Sequence, residues 1–291
     1  MKTSEGELQH AGRRVSWALF GRAIGRRVHF QYGTPGTRSL SPSMIDAVDR
    51  AGVQLLVLDR PGYGASDRLP GRRVTDVVAD VDAVADALAW DDFAVWGGSG
   101  GAPHALACAA GMRGRVTRVA SVVGPAPFDA PGLDWFAGMS PGNVEEFSLA
   151  AIGEAQYRPL VTRLAHEAVS AVSAGGSPVA EGYDLPPQDK IALHARQSED
   201  GHEARIQAAY IGGIDGWVDD CIAMTRPWGF DLTAIEAPVS VWFGPNDVLS
   251  PRGHAEFLLA ALPAASSRLL AGGGHLLRDE DLDAVYGWLA G

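Results

Sequence analysis

Phe93-Ala94-Val95-Trp96-Gly97-Gly98-Ser99-Gly100-Gly101-Ala102-Pro103-His104 reads as a short buried strand, a tight turn and the start of a helix. The turn spells G-x-S-x-G with Ser99 at its centre. In a strand-turn-helix of this pattern the serine sits on a strained turn that lifts its hydroxyl out of the sheet. Its flanks have to be small where the helix crosses over the strand, and Gly97, Gly98, Gly100 and Gly101 meet that need. The N–H of Gly100, at the helix start, is placed to bind an oxyanion. A glycine-rich turn that merely contains a serine would have the same five letters, so the weight of the reading falls on what surrounds it.

Upstream of this turn, residues 7–32 read as a β-meander. Gly12-Arg13 turns, Val15 to Phe20 is a strand, Gly21 to Gly25 turns again, and Val28-His29-Phe30 is a third strand. A short helix over 42–51 follows, then Val53 to Asp59, apolar enough for a buried parallel strand. Val74, Val77, Val78, Val81, Val84, Ala85 and Leu88 recur at helical spacing and predict an amphipathic helix. Downstream, the helix after Ser99 runs to about Met112, and Val116 to Val123 is another buried strand. From Ala126 to about Ile235 helical patterns dominate, near 143–153, 156–173, 188–198 and 203–212, with no clear strand. This stretch reads as a helical insertion over the carboxyl edge of a sheet, expected to move as a lid and to set substrate preference. The sheet resumes at Val239 to Phe243, followed by a helix at 251–262, a strand at Ser267 to Leu270 and a closing helix at Asp281 to Leu289. Strands alternating with helices predict an α/β protein, a mostly parallel sheet with helices on both faces. Ligands of such sheets bind outside the carboxyl ends of the strands.

A serine is a weak nucleophile at neutral pH unless a base takes its proton and a third group orients that base. Gly244-Pro245-Asn246-Asp247 follows the strand ending at Phe243, and Ala271-Gly272-Gly273-Gly274-His275 follows the one ending at Leu270. Asp247 alone could cap the next helix, and His275 alone is one of eight histidines. Together with Ser99 they give three suitable residue types at three strand ends, in the order Ser, Asp, His.

The bulk composition is consistent with this. The chain has 291 residues, 46% hydrophobic and 20% charged, enough for one large α/β domain or two small ones. Its net charge of −11 and pI near 5.1 argue against a nucleic-acid partner. Cys108 and Cys221 are too far apart in sequence for a disulfide framework or zinc spacing, and Met1 to His10 lacks an apolar leader core. No apolar run approaches a membrane span. The expectation is a cytoplasmic protein with no membrane and no nucleic-acid partner; a homo-oligomer is left open. His166-Glu167 and His202-Glu203 begin like a zinc-protease helix, but neither has a second histidine in register, and no metal is expected. Cys108 reads as a small core residue.

Gly33-Thr34-Pro35-Gly36, Asp59 to Asp67 (DRPGYGASD), Gly97 to Gly101, Pro227 to Asp231, Asn246-Asp247 and Gly274-His275 together resemble the α/β-hydrolase fold family of serine hydrolases, with its esterase, lipase and iminopeptidase members. The resemblance spans nearly the whole chain. It implies a mostly parallel eight-stranded sheet, a core domain of residues 1–125 and 236–291, and a helical cap of residues 126–235. It also implies a catalytic triad of Ser99, Asp247 and His275, and an oxyanion hole from the backbone N–H groups of Thr34 and Gly100. Ser66 and Asp67 look like loop-structuring residues. Members that dehalogenate or open epoxides use a carboxylate at the elbow, so Ser99 disfavours those activities. Where the family commonly has His before the oxyanion-loop glycine, this chain has Tyr32, which either packs under the turn or reaches the pocket. Tyr32, Trp135, Trp217 and Trp228 are the substrate-pocket candidates, with core or lid packing as the alternative for the tryptophans. The expected activity is cofactor-independent cleavage of a small-molecule carboxylic ester, or of a thioester, lactone or amide. The alternatives are an acyltransferase or cyclase using the same acyl-enzyme, and a non-catalytic small-ligand binder. A binder need not activate its serine, so covalent labelling separates them.

Overall fold

In the computed structural model, which describes residues 2–179 and 181–291, the apolar runs form the strands of one sheet. The strands are β1 (Lys2–His10), β2 (Arg13–Gly21), β3 (Arg26–Gln31), β4 (Val53–Leu58), β5 (Phe93–Gly98), β6 (Val116–Val122), β7 (Val239–Phe243) and β8 (Ala265–Leu269). They lie in the order β1-β2-β4-β3-β5-β6-β7-β8. β2 is antiparallel to β1 and to β4, and every other neighbouring pair is parallel. The central strands are buried on both faces, which parallel pairing under two helix layers requires. β8, at the sheet edge, is mostly exposed.

The N-terminal strands correct the meander expectation. β1 and β2 form a hairpin, but β3 does not continue it. Val28 of β3 pairs with Leu55 of β4 on one side and Ala94 of β5 on the other. Val28 to Gln31 are all buried. That pattern suits a strand with a parallel neighbour at each edge, and β2 covers the outer edge of β4 instead.

The crossover helices follow from this order. α1 (Pro42–Ala51) joins β3 to β4, starting at a Ser41 cap whose Oγ accepts the Met44 N–H at 3.2 Å. α2 (Val77–Ala87) joins β4 to β5, and α3 (Ala102–Gly111) joins β5 to β6. Right-handed crossovers running in opposite directions along a sheet put their helices on opposite faces. The step from β3 to β4 runs one way and the step from β5 to β6 the other, so α1 and α3 cover different faces. α10 (Asp279–Ala290) packs beside α1, α2 packs beside α3, and α9 (Arg252–Ala261) joins β7 to β8. The direction reverses between β3 and β5, and there the carboxyl ends of neighbouring strands diverge to leave a crevice.

Between β6 and β7 lie α4 (Pro141–Ile152), α5 (Glu154–Ser173), α6 (Pro187–Gln197), α7 (His202–Ala208) and α8 (Asp215–Met224). The first four match the helical patterns of the sequence, although α7 stops short of 212. α8 was not foreseen. Every residue from Gly216 to Met224 is buried, Asp219 and Asp220 included, so its polar positions do not mark a solvent-facing side. Among the described residues no helix is long and apolar enough to cross a membrane.

Candidate active site

The turn after β5 is a tight elbow. Ser99 has φ of 52°, a left-handed conformation that costs energy in any residue bearing a Cβ. Packing holds it there. A side chain on Gly97 would run into the Gly101 carbonyl, and one on Gly101 into the carbonyls of Gln31 and Tyr32. The glycines thus let the start of α3 cross closely over both β5 and the end of β3.

The strand-end residues singled out in the sequence converge on the Ser99 hydroxyl. His275 Nε2 lies 2.9 Å from Ser99 Oγ, and His275 Nδ1 lies 2.8 Å from Asp247 Oδ2. A carboxylate only accepts, so Nδ1 carries the proton and Nε2 is left to accept from the serine. The other oxygen of Asp247 accepts the N–H groups of Leu249 and Ser250 at 2.8 and 2.9 Å, which fixes the carboxylate plane. Asp247 and His275 are both buried. Burial works against a charged imidazole, but the Asp247 carboxylate outweighs it and leaves the His275 pKa above its ordinary value.

Thr34 and Gly100, expected to supply oxyanion N–H groups, face each other across the elbow: Gly100 packs against the Thr34 side chain. The Thr34 N–H donates to no group among the described residues. Tyr32 borders the same crevice, but its hydroxyl does not reach into it. Tyr32 Oη accepts the backbone N–H of Arg60 at 2.7 Å, its ring packs beneath Gly36, and the Arg60 guanidinium lies 4.2 Å from the ring centroid. Ser66 and Asp67 tie their loop to β2: Ser66 Oγ accepts the Ser16 N–H and Asp67 Oδ2 the Arg14 N–H, at 2.9 and 2.7 Å.

Above the elbow opens a cavity of about 910 Å³, bordered by Ser99, Thr34 and His275 below and by Phe147, Trp217 and Met224 from the inserted helices. Of the three tryptophans proposed as pocket residues, only Trp217 lines it. Trp135 is instead a packing residue, with its indole N–H on the Ala126 carbonyl at 2.9 Å and its ring against Phe147 and His254. Trp228 likewise packs against Phe230 and donates to the Met224 carbonyl at 3.3 Å. Both indole N–H groups are taken up by backbone carbonyls, and neither ring borders the cavity.

The cavity also holds a group the sequence did not single out. Glu146 accepts from the Tyr157 and Tyr183 hydroxyls at 2.5 and 2.7 Å and from the Trp217 indole N–H at 2.5 Å. These donors lie up to 71 positions away, so only the fold reveals the cluster.

The family model for the alpha/beta hydrolase fold matches residues 27–282. No curated protein matches the chain. Among solved structures, a hydrolase from Pseudomonas aeruginosa PA01 superposes with a TM-score of 0.69 at 21% identity, over 98% of this chain and 96% of that one. An enol-lactonase from Burkholderia xenovorans LB400 gives 0.65 at 18% identity, over 97% of each chain. A thermophilic esterase from Thermogutta terrifontis gives 0.68 at 19% identity, over 99% and 98%. At these identities the likeness establishes the fold.

Proposed function

Because this chain belongs to the alpha/beta hydrolase fold family, we propose that it is a serine hydrolase that cleaves a small carboxylic ester through a covalent acyl-enzyme. The observation that carries the reading is the unbroken hydrogen-bond chain from Ser99 Oγ through the His275 ring to Asp247. In the proposed reaction His275 Nε2 takes the Ser99 proton as Oγ bonds to the carbonyl carbon. The carbonyl oxygen becomes an oxyanion held by the N–H groups of Thr34 and Gly100. His275 then returns the proton to the leaving alcohol as the ester C–O bond breaks. Water repeats the sequence on the acyl-enzyme and frees the acid. Asp247 keeps the ring in the useful tautomer and stabilises the imidazolium. A preorganised oxyanion donor is worth on the order of 10²–10³ in rate.

The esterase and enol-lactonase neighbours support ester or lactone chemistry as the class, and a cavity of about 910 Å³ is in the size range of small-molecule sites. Thioesters and amides remain within reach of the same groups. Ser99→Ala tests the reading. It should lower turnover of a p-nitrophenyl ester by about 10⁴-fold or more, with the thermal midpoint kept, because only a hydroxyl is removed. Turnover within tenfold of the parent would contradict the mechanism.

A further inference from the structure

Two of the loops that carry this chemistry, those of Thr34 and His275, are each gripped by one buried aspartate, and both aspartates come from the helices inserted between β6 and β7. Asp220 of α8 is fully buried. Its Oδ2 accepts the Thr34 hydroxyl at 2.7 Å, the Tyr63 hydroxyl at 3.0 Å and Arg60 Nη2 at 2.6 Å, while Oδ1 accepts Arg72 Nη2 at 2.6 Å. Arg60, held by Asp220, donates in turn to the carbonyls of Tyr32 and Gly33 at 2.5 and 3.2 Å. In a trans peptide the carbonyl and the following N–H point in opposite directions. Fixing the Gly33 carbonyl on Arg60 therefore turns the Thr34 N–H away from the ion pair. Gly33 itself abuts the elbow, since a Cβ built on it would lie 3.5 Å from the Ser99 Cβ.

Asp189 of α6 grips the other loop. It is buried, its Oδ2 accepts the His275 N–H and its Oδ1 the Leu276 N–H, each at 2.9 Å. An ionised carboxylate offers two acceptor oxygens, which suit two successive amides. The approach depends on Gly274, where a side chain would run into the Asp189 carboxylate. With its main chain fixed in this way, the His275 ring spans from Asp247 to Ser99.

We propose that Asp189 and Asp220 are positioning residues: Asp189 sets the His275 ring and Asp220 sets the Thr34 N–H, each acting through the loop it grips. The inference rests on the serine-hydrolase reading above and extends it, because it makes the inserted helices part of the catalytic framework. Anchors that only fastened the insertion would affect stability and leave transition-state binding alone.

Replacing Asp220 directly would strand the buried Arg60 and Arg72 and endanger folding. The test therefore works on what each aspartate holds. Thr34→Val removes the hydroxyl bonded to Asp220 and leaves the ion pairs intact; Thr34→Ser keeps a hydroxyl. Gly274→Ala drives a methyl group against Asp189, and Asp189→Asn, which exchanges one acceptor for a donor, serves as a second variant of that grip. The full chain is assayed with p-nitrophenyl acetate and with phenylboronic acid, which forms a tetrahedral adduct on an activated serine. Thr34→Val, Gly274→Ala and Asp189→Asn should each lose about 10- to 100-fold in kcat, less than outright loss of an oxyanion donor. KM should stay within about threefold, the boronate inhibition constant should rise in parallel with the kcat loss, and Thr34→Ser should recover most of it. Parent kcat and boronate inhibition in the variants, whatever their thermal midpoints, would overturn the inference alone. An equal loss in Thr34→Ser and Thr34→Val would overturn the Asp220 half. A parent enzyme indifferent to the boronate and to Ser99→Ala would overturn the serine-hydrolase reading, and this inference with it.

Discussion

His275 sets the pH dependence of the proposed reaction, because only the neutral ring can take the serine proton. Its buried position disfavours the imidazolium, yet Asp247 at 2.8 Å more than offsets this and raises the pKa. The acid limb of kcat/KM should therefore show an apparent pKa above the reference value of about 6.5. An acid limb at or below that value, from a pH–rate profile on an ester, would contradict the assigned environment. The same shift has the opposite sign for stability. Protonated His275 favours the folded state fully below the unfolded pKa, and that gain is lost as pH rises through the folded pKa. At this scale the sequence points to Ser99, Asp247 and His275 because each stands in the turn after a strand. It does not show Asp189, Asp220 or Glu146. Acids on helices read as solvated faces, and their partners lie 86, 186 and 71 positions away.

Among the elements, β3 and α8 carry the lesson. β3 looked like the last strand of a meander, because a local pattern reports burial and not partners. Its alternation of Val28 and Phe30 with His29 and Gln31 suits a strand with one face in solvent, and the structure buries all four. α8 escaped notice because it is buried all round, and it bears Trp217, Asp220, Cys221 and Met224. The sequence treats residues 126–235 as an exchangeable lid, on which Ser99 would not depend. The proposed positioning role of Asp189 and Asp220 would instead make α6 and α8 part of the site, through their contacts with the His275 and Thr34 loops. A folded chimera with a foreign 126–235 segment lacking acids at the Asp189 and Asp220 positions should react with a boronate at least about tenfold more weakly than the parent. A chimera that retains both acids should keep the parent's response. Equal inhibition of the two chimeras would restore the separable lid.

Over the whole molecule, the sheet explains why distant residues meet. The reversal of strand order between β3 and β5 opens a crevice at their carboxyl ends, and the Thr34 turn and the Ser99 elbow flank it. The loops after β7 and β8 deliver Asp247 and His275 to the same edge. Alternation of strands and helices was readable from the apolar runs, and so was the strand-end edge at which Ser99, Asp247 and His275 meet. Strand order was not, since it depends on pairings that no single run encodes. The proposed function turns on activation of Ser99 as a nucleophile at this edge. Its most direct measurement is reaction of the folded parent with a fluorophosphonate, followed by intact-mass analysis and peptide mapping. A single adduct is expected, on the peptide containing Ser99, and none on Ser99→Ala; no adduct on the folded parent, or an adduct on another residue, would overturn the activation of Ser99.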